Sequence, residues 1–323
     1  MKIGASNGYL IKNFGVQESI EILSKAGFDS IDYSLSANDE ITDYKLFAEY
    51  TDQEFDKYFL SLKTFMDERN IMVGQTHAHD QWYITEYNDK LGIKDDFYRT
   101  AKGRFEFNSS QRYIDLMVKC IRATSILGSK YVIIHPLILP SYKYDNNREE
   151  CKKYNMEIYS RLIPYLEKYD VKVGVENMFT WAPEITQTHQ YCPTSCSRPE
   201  EIIDYIQTLN SDRFVACLDL GHLNLTCKDT NDTVDGGVLK LHKYLKTLHV
   251  HDTDGFEDLH VPPFMGNIDW VKVCKALKEV DYKGVFNFEI GGGYFNKFGK
   301  ENIQFSADYL YSTGKFLTKL MGK

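Results

Sequence analysis

The chain has no run of about eighteen apolar residues, so no helix is expected to cross a bilayer. Its first residues, MKIGASNGYLIKNFG, lack a sustained apolar stretch. A secretory signal is therefore not expected, and the location is read as cytoplasmic. Basic residues are in deficit: 38 Lys and Arg face 46 Asp and Glu, for a net charge of −8. There is no basic run or arginine-rich stripe to meet a phosphate backbone, so nucleic acid is not expected as a partner. The seven cysteines are odd in number and scattered. Cys192 and Cys196 form the only close pair, and no second pair completes a metal or redox motif. They are read as reduced thiols. The first strand-like run is not followed by G-x-G-x-x-G, which argues against an open dinucleotide-binding sheet. No linker, low-complexity segment or charge block divides the chain, so one domain over 1–323 is expected.

What is present is alternation. Apolar, β-rich runs occur at 2–6, 30–35, 71–78, 130–137, 171–178, 213–222, 245–252 and 284–290. Stretches with apolar residues at helical spacing follow them, at 16–27, 52–70, 110–128, 147–169, 199–210, 234–245, 269–280 and about 302–321. The strands are apolar almost throughout, as strands buried on both faces must be. Eight strand–helix units predict an α/β fold, a (β/α)8 TIM barrel, with long βα loops at about 79–108 and 179–198.

In such a barrel the C-terminal ends of the strands point into the active site. Here they carry His77 and His79, His135, Glu176, Asp219 with His222, His249 with His251 and Asp252, and Glu289. Ionisable groups inside apolar strands are costly unless paired or bound to metal. Six strands ending this way predict a site. Carboxylates and imidazoles without thiolates suit Mn, Co, Zn or Mg. The DTDG stretch at 252–255 lacks the later glycine and glutamate of a calcium loop and is set aside.

The segments GVENM, CLDLGH, HVHDTDGFEDLHVPPFMGNIDW and FNFEI occur in order, one per strand. In these the chain resembles the xylose-isomerase-like TIM barrels, a superfamily of sugar and sugar-phosphate isomerases and epimerases that includes zinc AP endonucleases. The resemblance implies one divalent ion held by Glu176, Asp219, His251 and Glu289, with Glu176 and Glu289 also moving the proton. It implies that His222 contacts sugar hydroxyls. The endonuclease branch binds three zinc ions, and its ligands would map to a histidine of the Thr76–His79 stretch (His77 or His79), His135, Glu176, Asp219, His222, His251, Asp258, His260 and Glu289. His249 is expected to support the site or sit in the core rather than ligate. Where 3-epimerases carry an arginine soon after the metal histidine, this chain has Asp252, Thr253, Asp254 and Gly255, so its substrate contacts differ from that branch.

The expected function is thus a metal-dependent sugar or sugar-phosphate isomerase or epimerase, with a small-molecule sugar as substrate. Trp82 and Trp181, on the two long loops, are candidates to pack on sugar C–H faces. Lys143, Arg148 and the Gly291–Tyr294 stretch could meet a phosphate or be ordinary surface and turn residues. Other readings fit the same residues. One is a lyase or dehydratase, including a C-deglycosylation subunit working with a small partner subunit. Another is a three-metal phosphodiester hydrolase, and a last one is a non-catalytic sugar-binding barrel. A homo-oligomer is in keeping with the superfamily.

Overall fold

The computed structural model describes residues 1–36, 45–79, 109–137, 148–179, 196–228 and 230–322. Eight parallel strands run β1 (Ile3–Ser6), β2 (Ser30–Ser34), β3 (Met72–His77), β4 (Tyr131–Ile134), β5 (Lys172–Glu176), β6 (Phe214–Asp219), β7 (Leu245–His249) and β8 (Phe286–Phe288). From β1 to β7 each strand pairs with the next in sequence, and β1 also pairs with β8. Just past the end of β7, Val250 bridges to Phe288 of β8, and the backbone bonds Val250 N to Asn287 O and Glu289 N to Val250 O close the ring. The fold is the expected (β/α)8 TIM barrel.

Long helices cover the outside of the sheet: Val16–Ala26, Asp52–Asp67, Ser110–Ile126, Arg148–Tyr169, Pro199–Leu209, Val234–Leu241, Trp270–Glu279 and Ile303–Leu320. Each turns an apolar stripe inward. In Ser110–Ile126, for example, Tyr113, Ile114, Met117, Cys120, Ile121 and Thr124 are buried at helical spacing. Local chemistry starts these helices where the sequence breaks. Thr51 and Glu54 form a reciprocal capping box ahead of Asp52–Asp67. Among the described residues, no helix is long and apolar enough to cross a membrane.

Two irregularities decide which side chains reach the barrel interior. Between β2 and β3 the register passes from Ile31↔Val73 to Asp32↔Gln75, so Gly74 is an extra residue on β3. Between β6 and β7 it passes from Ala216↔Leu245 to Cys217↔Thr247, so Lys246 is extra on β7. One added residue exchanges the faces of everything beyond it. Gln75 and His77 therefore align with Asp32 and Ser34, and Thr247 and His249 align with Cys217 and Asp219.

Candidate active site

Glu176, the last residue of β5, lies at the centre of the polar cluster and is completely buried. His135 Nε2 and His77 Nε2 lie 3.2 and 3.6 Å from its Oε2. His249 Nδ1 and His222 Nδ1 lie 3.1 and 3.5 Å from its Oε1. Among the described residues, neither oxygen finds a hydrogen bond of acceptable geometry, and neither does His249 Nδ1. Asp219, the last residue of β6, is held on both sides. Its backbone N–H donates to Asn177 Oδ1, and Asn177 Nδ2 donates back to its carbonyl. One carboxylate oxygen accepts from His222 N at 2.6 Å and so starts the short helix Leu220–Cys227.

Two neighbouring donor sets result. In the first, Glu176, Asp219, His249 and Glu289 place one ligand atom each within 4.8 Å of one another. The second contains His222, His251, Asp258 and His260 on the same criterion. His77, Glu176 and His249 meet it too. In the first set the buried Glu176 oxygens and His249 Nδ1 converge without a hydrogen bond of acceptable geometry, which fits a divalent cation, and this mixture of nitrogen and oxygen is the one Mn, Co, Zn and Mg accept.

The expected quartet is therefore drawn from both sets. His249, expected to lie behind the site, joins Glu176, Asp219 and Glu289, with its Nδ1 3.4 Å from Glu289 Oε2 and 3.8 Å from Asp219 Oδ2. His251 turns its Nε2 to the two oxygens of Asp219, at 2.9 and 3.0 Å, and its ring stacks on His260 with centroids 3.9 Å apart. A Cβ at position 221 would sit 2.0 Å from His251 Cε1, so only glycine leaves room for the ring there.

The chain after β7 is folded around Asp252, which is buried and accepts from Thr253 N, Phe264 N, Ile268 N and Trp270 Nε1. That loop carries Asp258 and His260 back over the barrel. His260 Nε2 lies 3.0 Å from Asp258 Oδ2, and its Nδ1 donates to the carbonyl of Glu289. His222 Nε2 lies 3.6 Å from the same Asp258 oxygen.

The electrostatics are those of interleaved acids and imidazoles. Burial alone would raise the Glu176 carboxyl, but His249 and His135 hold it well below the usual range. Burial opposes ionisation of Asp219 as well, yet His222 and His251 bring it down to about 2. Asp258 is likewise depressed, against burial, by His222 and His260. Burial disfavours the charged forms of His222 and His260, but Asp219 and Asp258 push His222 well up, and Asp258 pushes His260 up to about 9.

A cavity of about 190 Å³ opens beside these groups, lined by His77, His135, Glu176, His222, Asp258, His260 and Glu289, with Met178 and Phe179 as an apolar wall. His79 lies apart from it and packs on Phe47. Trp82, Trp181 and Lys143 lie outside the described residues, as does most of both long loops. Arg148 pairs with Glu201, and Gly291 precedes a four-residue helix, Gly292–Phe295. Three residues not singled out in the sequence support the site from below: Asp32, which touches His249, and Gln75 and Asn287, which bond Asp32. An acid in the middle of the apolar run SIDYSL is the signal that could have found the first.

Comparison with known proteins gives this architecture its relatives. An uncharacterized protein of Methanocaldococcus jannaschii, MJ1311, is 26% identical over 215 residues, which is 64% of this chain and 68% of that one. The inosose isomerase of Bacillus subtilis is 26% identical over 185 residues, 55% of this chain and 60% of that protein's length. Among solved structures, a D-tagatose 3-epimerase-like protein superposes with a TM-score of 0.68 at 20% identity, covering 99% of each chain. The IOLI protein with a bound zinc atom superposes with a TM-score of 0.66 at 20% identity, covering 99% of this chain and 98% of that one. The family model described as xylose isomerase-like TIM barrel matches residues 20–313, and the chain belongs to that family.

Proposed function

We propose that the protein is a divalent-metal-dependent isomerase or epimerase acting on a sugar or sugar phosphate. The observation that carries this reading is the pair Glu176 and Glu289. They approach His249 Nδ1 from β5 and β8, at 3.1 and 3.4 Å, and both line the cavity. A relative named inosose isomerase and a fold shared with a 3-epimerase-like protein support the substrate class, and the zinc of the IOLI structure supports the metal. Glu176, Asp219, His249 and Glu289 would hold the cation, which when bound polarises carbonyl and hydroxyl oxygens.

A proton on carbon beside a carbonyl is weakly acidic. Glu176 is held ionised by the imidazoles around it and so has no proton of its own to lose first; it would accept the substrate proton, and Glu289 is placed to exchange one from just past β8. Each would use the oxygen not committed to ligation. Met178 and Phe179 offer an apolar surface to sugar C–H groups. Glu176→Gln and Glu289→Gln are expected to fold normally and to slow solvent-deuterium exchange into a sugar substrate by roughly 10²–10⁴-fold. Near-wild-type exchange by both variants would remove the assignment.

The His222–Asp258–His260 set favours a second reading, a three-metal phosphodiester hydrolase, because it gives a further cation its own ligands. Elemental analysis separates the two. About one ion per chain fits proton transfer, whereas about three zinc ions with cleavage of a model phosphodiester would establish the hydrolase.

A further inference from the structure

Below the carboxylates and imidazoles, the barrel interior holds an acid that the proposed chemistry does not use. Asp32 of β2 is completely buried. Its Oδ2 lies 3.1 Å from His249 Nε2, 2.9 Å from Gln75 Nε2 and 3.0 Å from Asn287 Nδ2. Three elements thus converge on one oxygen: β7, β3 and β8. The two amide nitrogens can only donate, so this oxygen acts as an acceptor. His249 Nε2 must then carry the hydrogen that completes the set. The other ring nitrogen, Nδ1, is the atom that faces Glu176, Glu289 and Asp219.

We propose that Asp32 is the positioning residue of the metal centre. It holds hydrogen on His249 Nε2, so that Nδ1, aimed at the carboxylates of the quartet, is the nitrogen that would ligate. A ligating histidine whose far nitrogen is bonded to a carboxylate has its tautomer and ring angle set, and its basicity raised. Gln75 and Asn287 seat Asp32 in turn, and the register shift at Gly74 is what brings Gln75 opposite Asp32. The inference rests on the metal reading above, with His249 as ligand.

The test uses the full chain, stripped of metal and titrated with Co²⁺ against a chelating dye, with the visible spectrum recorded at saturation. Asp32→Asn is expected to weaken affinity roughly ten- to hundredfold and to change the cobalt spectrum, because the imidazole is no longer held at its angle. A residue serving only the core would lower the thermal midpoint of the metal-free protein and leave both readouts unchanged. Wild-type affinity and an unaltered spectrum in Asp32→Asn overturn the proposal and leave the metal reading standing. Absence of Co²⁺ binding by the wild-type protein overturns both. If Asp32→Asn does not fold, Gln75→Met carries the same question. A loss of affinity and a changed spectrum support the proposal, and wild-type values for both overturn it.

Discussion

His249 and His251 stand two positions apart, both fully buried, and meet different chemistry. His249 is the last residue of β7 and faces three carboxylates through Nδ1. His251 lies one step further out, roughly 6–7 Å along an extended chain, where it bonds Asp219 and stacks on His260. On the proposed metal site, removing the first would take away a ligand, whereas removing the second would loosen one. His249→Ala is therefore expected to weaken divalent-metal binding by more than His251→Ala, with the latter costing about tenfold. Isothermal titration of both variants checks the order, and the reverse order would return His251 to the quartet. The string HVHD offers both histidines on one face, since side chains two apart on a strand point the same way. Resemblance to the family favours His251. What separates the two is where β7 stops and how far it is displaced by Lys246, and neither leaves a compositional mark. Glu176, Asp219 and Glu289 are legible because an acid inside an apolar run is too costly to keep unless it is paired or bound to metal.

At the scale of elements, the strands can be read to within a few residues because continuous apolar runs bounded by polar turns have little other use in a chain of this length. The organisation of the segment after β7 is not legible. Three of its four aspartates, Asp252, Asp254 and Asp258, look alike in sequence, yet Asp254 accepts from the backbone N–H groups of Phe256 and Glu257 at an exposed turn. Asp258 faces two histidines, while Asp252 organises the loop that holds them in place. Four donors end on Asp252: three backbone N–H groups and the Trp270 indole. Close packing completes the loop, since a Cβ at Gly266 would lie 2.1 Å from the Thr253 carbonyl. Asp252→Ala leaves these donors without their acceptor. Each buried orphan costs about 1–3 kcal/mol before relaxation, so a loss on the order of 3 kcal/mol is expected. Hydrogen exchange should show 253–268 opening ahead of the barrel strands. A variant with wild-type stability and wild-type protection of that loop would mean that Asp252 does not organise it.

At the scale of the molecule, a chain with a net charge of −8 gathers both signs at one end of its barrel. Glu176, Asp219 and Asp258 are held ionised, while His222, His249 and His260 are pushed upward. Protons on imidazoles thus balance the carboxylates in the metal-free protein, and on the proposed function a divalent cation would replace those protons. The sign follows from linkage. A histidine raised from 6.5 to about 9, as His260 is, contributes stability that is complete below pH 6.5 and lost as pH rises through about 9. Asp219, lowered from 3.8 to about 2, contributes stability present above pH 3.8 and lost as pH falls through about 2. The thermal midpoint of the metal-free protein is therefore expected to fall between pH 6.5 and 9. Metal affinity should rise over the same interval, because ligation no longer has to displace protons. Melting curves across that range, with and without saturating Mn²⁺, should diverge with increasing pH. A metal-free midpoint that climbs towards pH 9, or a metal-induced shift that shrinks, would show that the imidazoles are not the groups that balance these carboxylates.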